Sequence, residues 1–235
     1  MKEVRFFYTP EPQTGMLPDE EAAHAVRVLR MAEGDELFLM DGRGTFFRAE
    51  ITEASKHRCG FRIVETLPQP RQWGAHLHLA MGATKNMDRI EWLAEKATEI
   101  GFDELTFLDC RFSERRVVKN ERIEKIMVAA MKQSRKAELP KLNGMTSFAD
   151  FIRRPFTGGK FICHCYDDNL PLLRDSLVSG EDAVVMIGPE GDFSLDEVRE
   201  AEAAGFRSVS LGKSRLRTET AALVAVHLMH LSAGE

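Results

Sequence analysis

Ala183-Val184-Val185-Met186-Ile187-Gly188-Pro189-Glu190-Gly191-Asp192-Phe193-Ser194-Leu195-Asp196-Glu197 is the stretch that decides the fold. Five apolar residues in a row, without alternation, mark a strand buried on both faces, which is the habit of parallel sheets. A glycine-rich loop follows. Ser194 and Glu197 then stand at the spacing of a capping box, so a helix opens there and closes at Gly205. Strand, loop and helix in this order form one unit of a parallel α/β sheet, whose ligands bind at the carboxyl ends of the strands.

The same grammar extends in both directions. After Gly205 the sequence predicts a strand over 208–211, a second loop over 211–217 and a final helix from Thr218 to about Leu231. Upstream it predicts strands over 76–81, 105–109 and 160–165, helices over 86–100 and 120–137, and a short helix over 147–153. Gly101 sits where a helix C-cap needs one. The first 66 residues read differently. Short strands over 4–8, 36–40, 45–52 and 58–65 surround one helix at 18–31, and Asp41-Gly42-Arg43-Gly44 is a hairpin turn, giving a small barrel-like module. Leu67-Pro68-Gln69-Pro70 should stop any strand, so the expected division is 1–68 and 72–235.

Composition bounds the function. With 43% hydrophobic and 29% charged residues over 235, the chain is neither disordered nor fibrous. Four scattered cysteines and no apolar leader point to a cytoplasmic protein with free thiols. No apolar run is longer than Ala221 to Val226, which is far short of the ~20 residues of a membrane span. The formal charge of −5 argues against nucleic acid until it is divided. Residues 71–145 carry 14 basic and 11 acidic residues, against 9 and 12 before them and 9 and 14 after. Within 111–136, nine basic residues face three glutamates, which is either a phosphate-binding stripe or a solvated helix face laced with pairs such as Glu121–Lys125.

Several motifs fail. Gly212-Lys213-Ser214 ends like a Walker A loop, but position 207 is Arg where its first glycine belongs, and no G-x-G-x-x-G exists. Cys163-His164-Cys165 lacks a second pair at zinc spacing, so core thiols and no metal are expected, with His164 ending a strand beside the ligand crevice. No patterned Ser/His/Asp site is visible. What remains is the pair of late glycine loops, either two tight βα turns or a ligand cradle.

These loops carry a resemblance. Ile187-Gly188-Pro189-Glu190-Gly191-Asp192-Phe193-Ser194 paired with Leu211-Gly212-x-x-x-Leu216-Arg217-Thr218-Glu219-Thr220-Ala221 resembles the RsmE family of small-subunit ribosomal RNA uridine-N3 methyltransferases. Supporting segments run in the family's order: His24-x-x-x-Val28-Leu29-Arg30, Asp41-Gly42-x-Gly44, Lys85-x-x-Asp88-Arg89, Glu95 to Gly101, and Gln133-Ser134-x-x-x-x-Leu139-Pro140. Residues 143–180 add almost nothing. The family usually has glycine where Asp192 stands, and Gly or Asn near Lys136. Asp192 would either tighten the loop or touch the sulfonium.

The resemblance implies a PUA-like RNA-binding β-barrel followed by a SPOUT-type parallel sheet with a C-terminal trefoil knot. Knots are nearly absent from proteins, so that element rests on the resemblance alone. It also implies S-adenosyl-L-methionine as cofactor, a homodimer, and small-subunit ribosomal RNA, in the assembled 30S particle, as partner. The cofactor would be held by His164, Ile187, Gly188, Glu190, Gly191, Leu211, Gly212, Ser214, Leu216, Arg217 and Thr218. Arg217 would stabilise charge on a uracil carbonyl oxygen, and Glu219 or Glu190 would take the proton or order the loop. For Glu219 the alternative is a first-turn carboxylate satisfying helix amides. RNA would meet Arg30, Arg43, Lys85, Arg89, Arg115, Arg135 and Lys136, each otherwise a solvent-exposed charge. Competing functions are a SPOUT enzyme acting on transfer RNA or another ribosomal RNA position, and a catalytically silent RNA-binding module.

Overall fold

The computed structural model describes residues 5–56 and 58–234. It divides into two compact units, Met1–Arg71 with Val128–Leu139, and Gln72–Met127 with Pro140–Glu235.

In the first unit, strands β1 (Phe6–Tyr8), β2 (Glu36–Met40), β3 (Thr45–Ala54) and β4 (Cys59–Pro68) form one sheet in that order. Phe7, Leu37, Leu39, Ala49 and Ile51 point to a shared core, as period-2 alternation requires. Gly15–Leu17 pair with the outer edge of β4 through Leu17 N–H to Cys59 O and Phe61 N–H to Gly15 O, which curls the sheet toward the expected barrel. The expected start of β1 at Val4 lies outside the described residues. Two expectations are corrected. The strand does not stop before Leu67: β4 continues to Pro68, which pairs with Thr45 at the open edge, where a missing N–H leaves no ladder bond unmade. The helix predicted over 18–31 is α1 (Asp19–Ala23) followed by a wider π turn at His24–Val28, and it ends before Arg30, whose φ is +55°. Ala137–Leu139 close on the hairpin turn, with Gly44 N–H to Ala137 O and Leu139 N–H to Gly42 O.

The second unit is a six-stranded, wholly parallel sheet of β5 (Leu77–Gly82), β6 (Glu104–Asp109), β7 (Lys141–Ser147), β8 (Gly159–Cys163), β9 (Ala183–Ile187) and β10 (Arg207–Val209). The spatial order is β10-β8-β9-β5-β6-β7. The chain walks outward from β5 to β7, then crosses to β8 and returns to insert β9 between β8 and β5, so the order reverses beside β9. Both β5 and β9 are buried along their whole length, as the unbroken apolar run of β9 foretells.

Helices α2 (Met87–Ile100) and α7 (Thr218–Ser232) pack on one face of the sheet, and α4 (Phe148–Ile152) and α6 (Leu195–Ala203) on the other. A core of Phe148, Phe151, Phe193, Val198 and Phe206 fills the latter side. The N-cap of α2 is Asn86 and its C-cap is Gly101 at φ +113°, and α6 carries the full Ser194/Glu197 capping box. Helix α3 (Asn120–Ser134) ends three residues before the predicted 137, and α5 (Leu173–Ser176) and β7 were not predicted.

Candidate active site

Loops following β5, β8, β9 and β10 all leave the same, carboxyl edge of the parallel sheet. The predicted cofactor residues fall on three of them: Ile187, Gly188, Glu190 and Gly191 after β9, Leu211, Gly212, Ser214, Leu216 and Arg217 after β10, and His164 immediately after β8. Thr218 opens α7.

The β9 loop is tightly folded. A Cβ on Gly188 would lie 2.9 Å from Phe193 N and 3.0 Å from Asp192 Cα, so no side chain fits. From below it is met by Gly82 at the end of β5, whose Cβ would lie 2.5 Å from Pro189 N. Asp192 adopts φ +63°, a left-handed conformation that Asp tolerates better than most residues. Its Oδ1 accepts from Phe193 N–H at 2.7 Å and its Oδ2 from Cys165 N–H at 2.9 Å. Of the two roles expected for Asp192, tightening the loop is the one these bonds perform. Glu190 Oε1 accepts from Lys85 N–H at 2.9 Å, which ties the β5 loop to the β9 loop.

The β10 loop is more open. Gly212 has φ +116° with nothing within 4 Å of its Cβ position, and Lys213, Ser214, Arg215 and Arg217 are exposed. Ser210 Oγ accepts from Gly212 N–H at 3.1 Å. Val209 pairs with Cys163 and Ser210 bridges to Leu172, which places the β10 loop beside the β8 loop. Arg217 is the N-cap residue of α7, and its side chain makes no capping hydrogen bond.

Glu219, in the first turn of α7, is only 7% exposed. Its Oε1 lies 3.5 Å from Arg89 Nε on α2, and its Oε2 is buried without a hydrogen-bond partner among the described residues. The helix N-terminus favours a carboxylate there, but an unmet buried oxygen is costly. His164 Nε2 is the second buried polar atom of this edge without a partner, and burial of the ring holds the His164 pKa below its ordinary value.

The cysteines need a correction. Strand β8 ends at Cys163 and not at 165, and only the first of the pair is a core thiol: Cys163 is buried, with burial pushing its thiol pKa up, while Cys165 is exposed. Among the described residues no cluster of three or more His, Cys, Asp or Glu could hold a metal.

The expected RNA contacts separate into two kinds. In the first unit Arg30 and Arg135 are exposed, each at φ +55°; Arg43 is exposed and donates to Pro10 O; Lys136 is half-buried, and burial lowers its pKa. In the second, Lys85 is exposed and paired with Glu114 at 2.8 Å, and Arg89 faces Glu219. Arg115 spends its guanidinium on the carbonyls of Thr84 and Lys85, fixing the β5 loop. Much of the 111–136 stripe is likewise engaged, through Arg111–Asp196, Arg116–Asp109, Arg122–Glu91 and Lys132–Glu21. Sequence reasoning missed the Arg115 cap and the neighbours Phe112 and Tyr166. A Gly191 Cβ would lie 3.0 Å from Phe112 Cβ, and Tyr166 Oη donates to Phe193 O at 2.6 Å. Neither position carries a pattern that a single sequence displays.

At the opposite, amino-terminal end of the strands a cavity of about 360 Å³ opens beside His76, His78, Glu104, Arg154, Phe156 and Asp182. Its polar groups are engaged by neighbours: Glu104 accepts from Asn143 at 2.6 Å and from Lys141 at 3.1 Å, and His78 Nε2 meets Thr106 Oγ1 at 2.8 Å. It lies at the end of the sheet away from the glycine loops.

Comparison with known proteins adds to this geometry. The RNA methyltransferase domain family matches residues 71–230, and the RNA methyltransferase PUA domain family matches residues 17–64. A crystal structure of a probable rRNA-methyltransferase from Porphyromonas gingivalis is 41% identical, with a TM-score of 0.93 over 98% of both chains. Ribosomal RNA small subunit methyltransferase E from Neisseria gonorrhoeae, solved bound to S-adenosyl methionine, is 27% identical, with a TM-score of 0.86 over 97% of this chain and 98% of that one. Its namesake from Bacillus subtilis (strain 168) is 28% identical, covering 92% of this chain and 89% of its own.

Proposed function

Since the chain belongs to the RNA methyltransferase family, in its RsmE branch and with a PUA domain ahead of the catalytic one, we propose that it methylates N3 of one uridine in small-subunit (16S) ribosomal RNA, using S-adenosyl-L-methionine. The observation that carries this reading is the meeting of the β8, β9 and β10 loops at one sheet edge, with two buried polar atoms, His164 Nε2 and Glu219 Oε2, left for a ligand.

The residues fit such a cofactor. Gly188, Gly191 and Gly212 leave backbone groups approachable, and the orphaned His164 and Glu219 atoms are of the kind that hydroxyl and ammonium groups satisfy. Ile187, Gly188, Glu190, Gly191, Leu211, Gly212, Ser214, Leu216, Arg217 and Thr218 would hold it. When bound, it supplies an electrophilic methyl group on a sulfonium.

The protein's own contribution is orientation and charge. N3 lies on the Watson–Crick edge, so the uracil must be unpaired or flipped before it can enter. Its imide proton must leave, and negative charge then spreads onto the carbonyl oxygens. Exposed Arg217, held at the start of α7, stabilises that charge. Of the two carboxylates, Glu190 is occupied with the Lys85 N–H, whereas Glu219 keeps a free buried oxygen; Glu219 is therefore assigned as proton acceptor and Glu190 as the loop's tie. Arg30, Arg43, Lys85, Arg89, Arg135 and Lys136 remain RNA contacts in this reading, while Arg115 acts through the β5 loop.

The finer parts of the proposal are a trefoil knot through the β9 and β10 loops, functional domains at 1–68 and 72–235, a cytoplasmic location, and a homodimer acting on the 30S particle without a metal. Among the described residues no helix is long and apolar enough to cross a membrane. Leu223, Val224 and Leu228 of α7 are only partly buried and Leu231 is exposed, leaving an apolar stripe for a second copy. Tritiated-methyl transfer onto small-subunit particles from a strain lacking the gene, with the modified base mapped, tests the function. Label on N3 of a single 16S uridine is expected. Label on another atom or RNA selects a different SPOUT activity, and none at all selects the silent binding module.

A further inference from the structure

Large aromatic side chains in this chain are mostly interior: Phe7, Phe102, Phe107, Phe151, Phe161 and Phe193 are all completely buried. Phe112 and Tyr166, each 46% exposed, are different, as is Trp92 of α2 at 41%, which is not among the residues that meet the glycine loops. The first two come from separate parts of the chain, after β6 and after β8, yet both rest on the Gly188–Phe193 loop, Phe112 through its β-carbon against Gly191 and Tyr166 through its hydroxyl on the Phe193 carbonyl. Their bases are held firmly. The turn carrying Phe112 is pinned by Arg111 N–H to Glu197 Oε1 at 2.8 Å and by Cys110 N–H to Ser113 Oγ at 3.0 Å. Tyr166 is fixed by its hydroxyl bond, and its neighbour Cys165 is held by Asp192. The Tyr166 ring also leans on His164, with centroids 5.7 Å apart, so two rings with fixed stems and nearly half their surface exposed, on one loop of the site, are placed for a planar partner.

The surrounding charge says which partner. The loop from Ser210 to Thr218 exposes Lys213, Arg215 and Arg217 and contains no acidic residue, and because Val209 of β10 pairs with Cys163 of β8 it leaves the sheet beside the loop that carries Tyr166. Rings interleaved with guanidinium groups are the surface on which unpaired bases stack while the phosphates meet the cations. A two-fold contact with another copy of the chain, centred here, would instead set these cations against themselves. Asp167 and Asp168 follow Tyr166, so its contact must come from the ring and not from charge.

We propose that Phe112 and Tyr166 are stacking platforms for unpaired RNA bases flanking the methylated uridine. This rests on the function proposed above: pulling one base out of its stack leaves its neighbours without a partner face, which these rings replace.

The test is fluorescence anisotropy with the full chain, using a 12-nucleotide uridine-containing single strand and the same strand annealed to its complement. Phe112→Ala and Tyr166→Ala should each weaken single-strand binding about tenfold, with little effect on the duplex. Phe112→Trp and Tyr166→Phe should stay within about twofold of the parent. Tyr166→Phe removes the hydroxyl bond to Phe193 but keeps the ring, so its retention separates stacking from loop support. Binding of S-adenosyl-L-methionine by calorimetry and the salt dependence of RNA affinity should be unchanged in all four. Unchanged RNA affinity in the alanine variants overturns the inference. So does a parallel loss of cofactor affinity, which would put the rings in the cofactor pocket, or altered sedimentation, which would put them between protomers. A parent that binds single strands through the rings but transfers no methyl group would remove the proposed function and the flanking uridine with it, and leave the rings as stacking platforms for unpaired bases.

Discussion

Asp192 Oδ2 accepts a hydrogen bond from the Cys165 backbone N–H at 2.9 Å, so one side chain fastens the loop after β9 to the loop after β8. It does so from a left-handed backbone. Asp192→Ala loses both of its hydrogen bonds and keeps the strain, and should lower unfolding stability by about 1–3 kcal/mol in urea titrations. Asp192→Gly relieves the strain and should recover part of that loss. Equal stability in parent and alanine variant would show that the tie contributes nothing.

Arg217→Ala removes charge stabilisation from the transition state and leaves the backbone cradle in place. Turnover should fall by roughly 10²–10³, while the cofactor dissociation constant moves less than about threefold. Equal losses in the two would sink the assignment.

Glu219→Gln keeps the shape of the buried side chain and removes the proton acceptor. A fall in turnover of roughly 10² or more is expected at an unchanged melting temperature and an unchanged cofactor dissociation constant. Full activity would return Glu219 to a purely structural place beside Arg89.

Acid should unfold the second unit in two overlapping ranges. Burial lowers the His78 pKa to about 4 despite Glu104 beside it. Burial alone would raise Glu104, but the Asn143 amide, His78 and Lys141 outweigh it and bring its pKa down to about 2. The folded state resists protonating His78, so stability falls as pH drops from 6.5 toward 4; it also resists protonating Glu104, so a second loss runs from 4.5 toward 2. His78→Gln should flatten the upper range and, by removing one of the groups that hold Glu104 down, shrink the lower one in denaturant titrations at stepped pH. An unchanged slope between pH 6.5 and 4 would refute the role given to His78.

RNA affinity should fall with salt, but modestly. With Arg111, Arg116, Arg122 and Lys132 in ion pairs and Arg115 on carbonyls, few charges of the 111–136 stripe are free for phosphates. A slope of log affinity on log salt of roughly −1 to −3 is expected, at about −0.7 per single-strand phosphate contact. A flat profile would remove the stripe from the interface.

What the sequence displayed was what local chemistry writes down. The apolar run of β9, the capping box of α6, and Asn86 and Gly101 at the ends of α2 each stand where the residues place them. Strand β7 was illegible because Lys141-Leu142-Asn143-Gly144-Met145-Thr146-Ser147 is a half-exposed edge strand with no alternation to read. The π turn at His24–Val28 keeps helical periodicity and differs only in its bonding. Pro68 misled because its cost depends on whether its strand has a neighbour, which is a tertiary fact. In the site, residue types were readable and commitments were not: nothing in the one-dimensional pattern distinguishes an arginine free for phosphate from Arg115, already spent on two carbonyls.

The missing side chain of Gly82 has a consequence for binding thermodynamics. Because Pro189 occupies that space, and Glu190 and Asp192 hold the loop on either side, the loop is ordered by folding itself. A ligand arriving at the β9 side meets a finished surface and forfeits no chain entropy there, whereas the open segment around Gly212 has its freedom still to lose. Affinity and specificity therefore divide between the two loops, a rigid half that recognises and a loose half that closes.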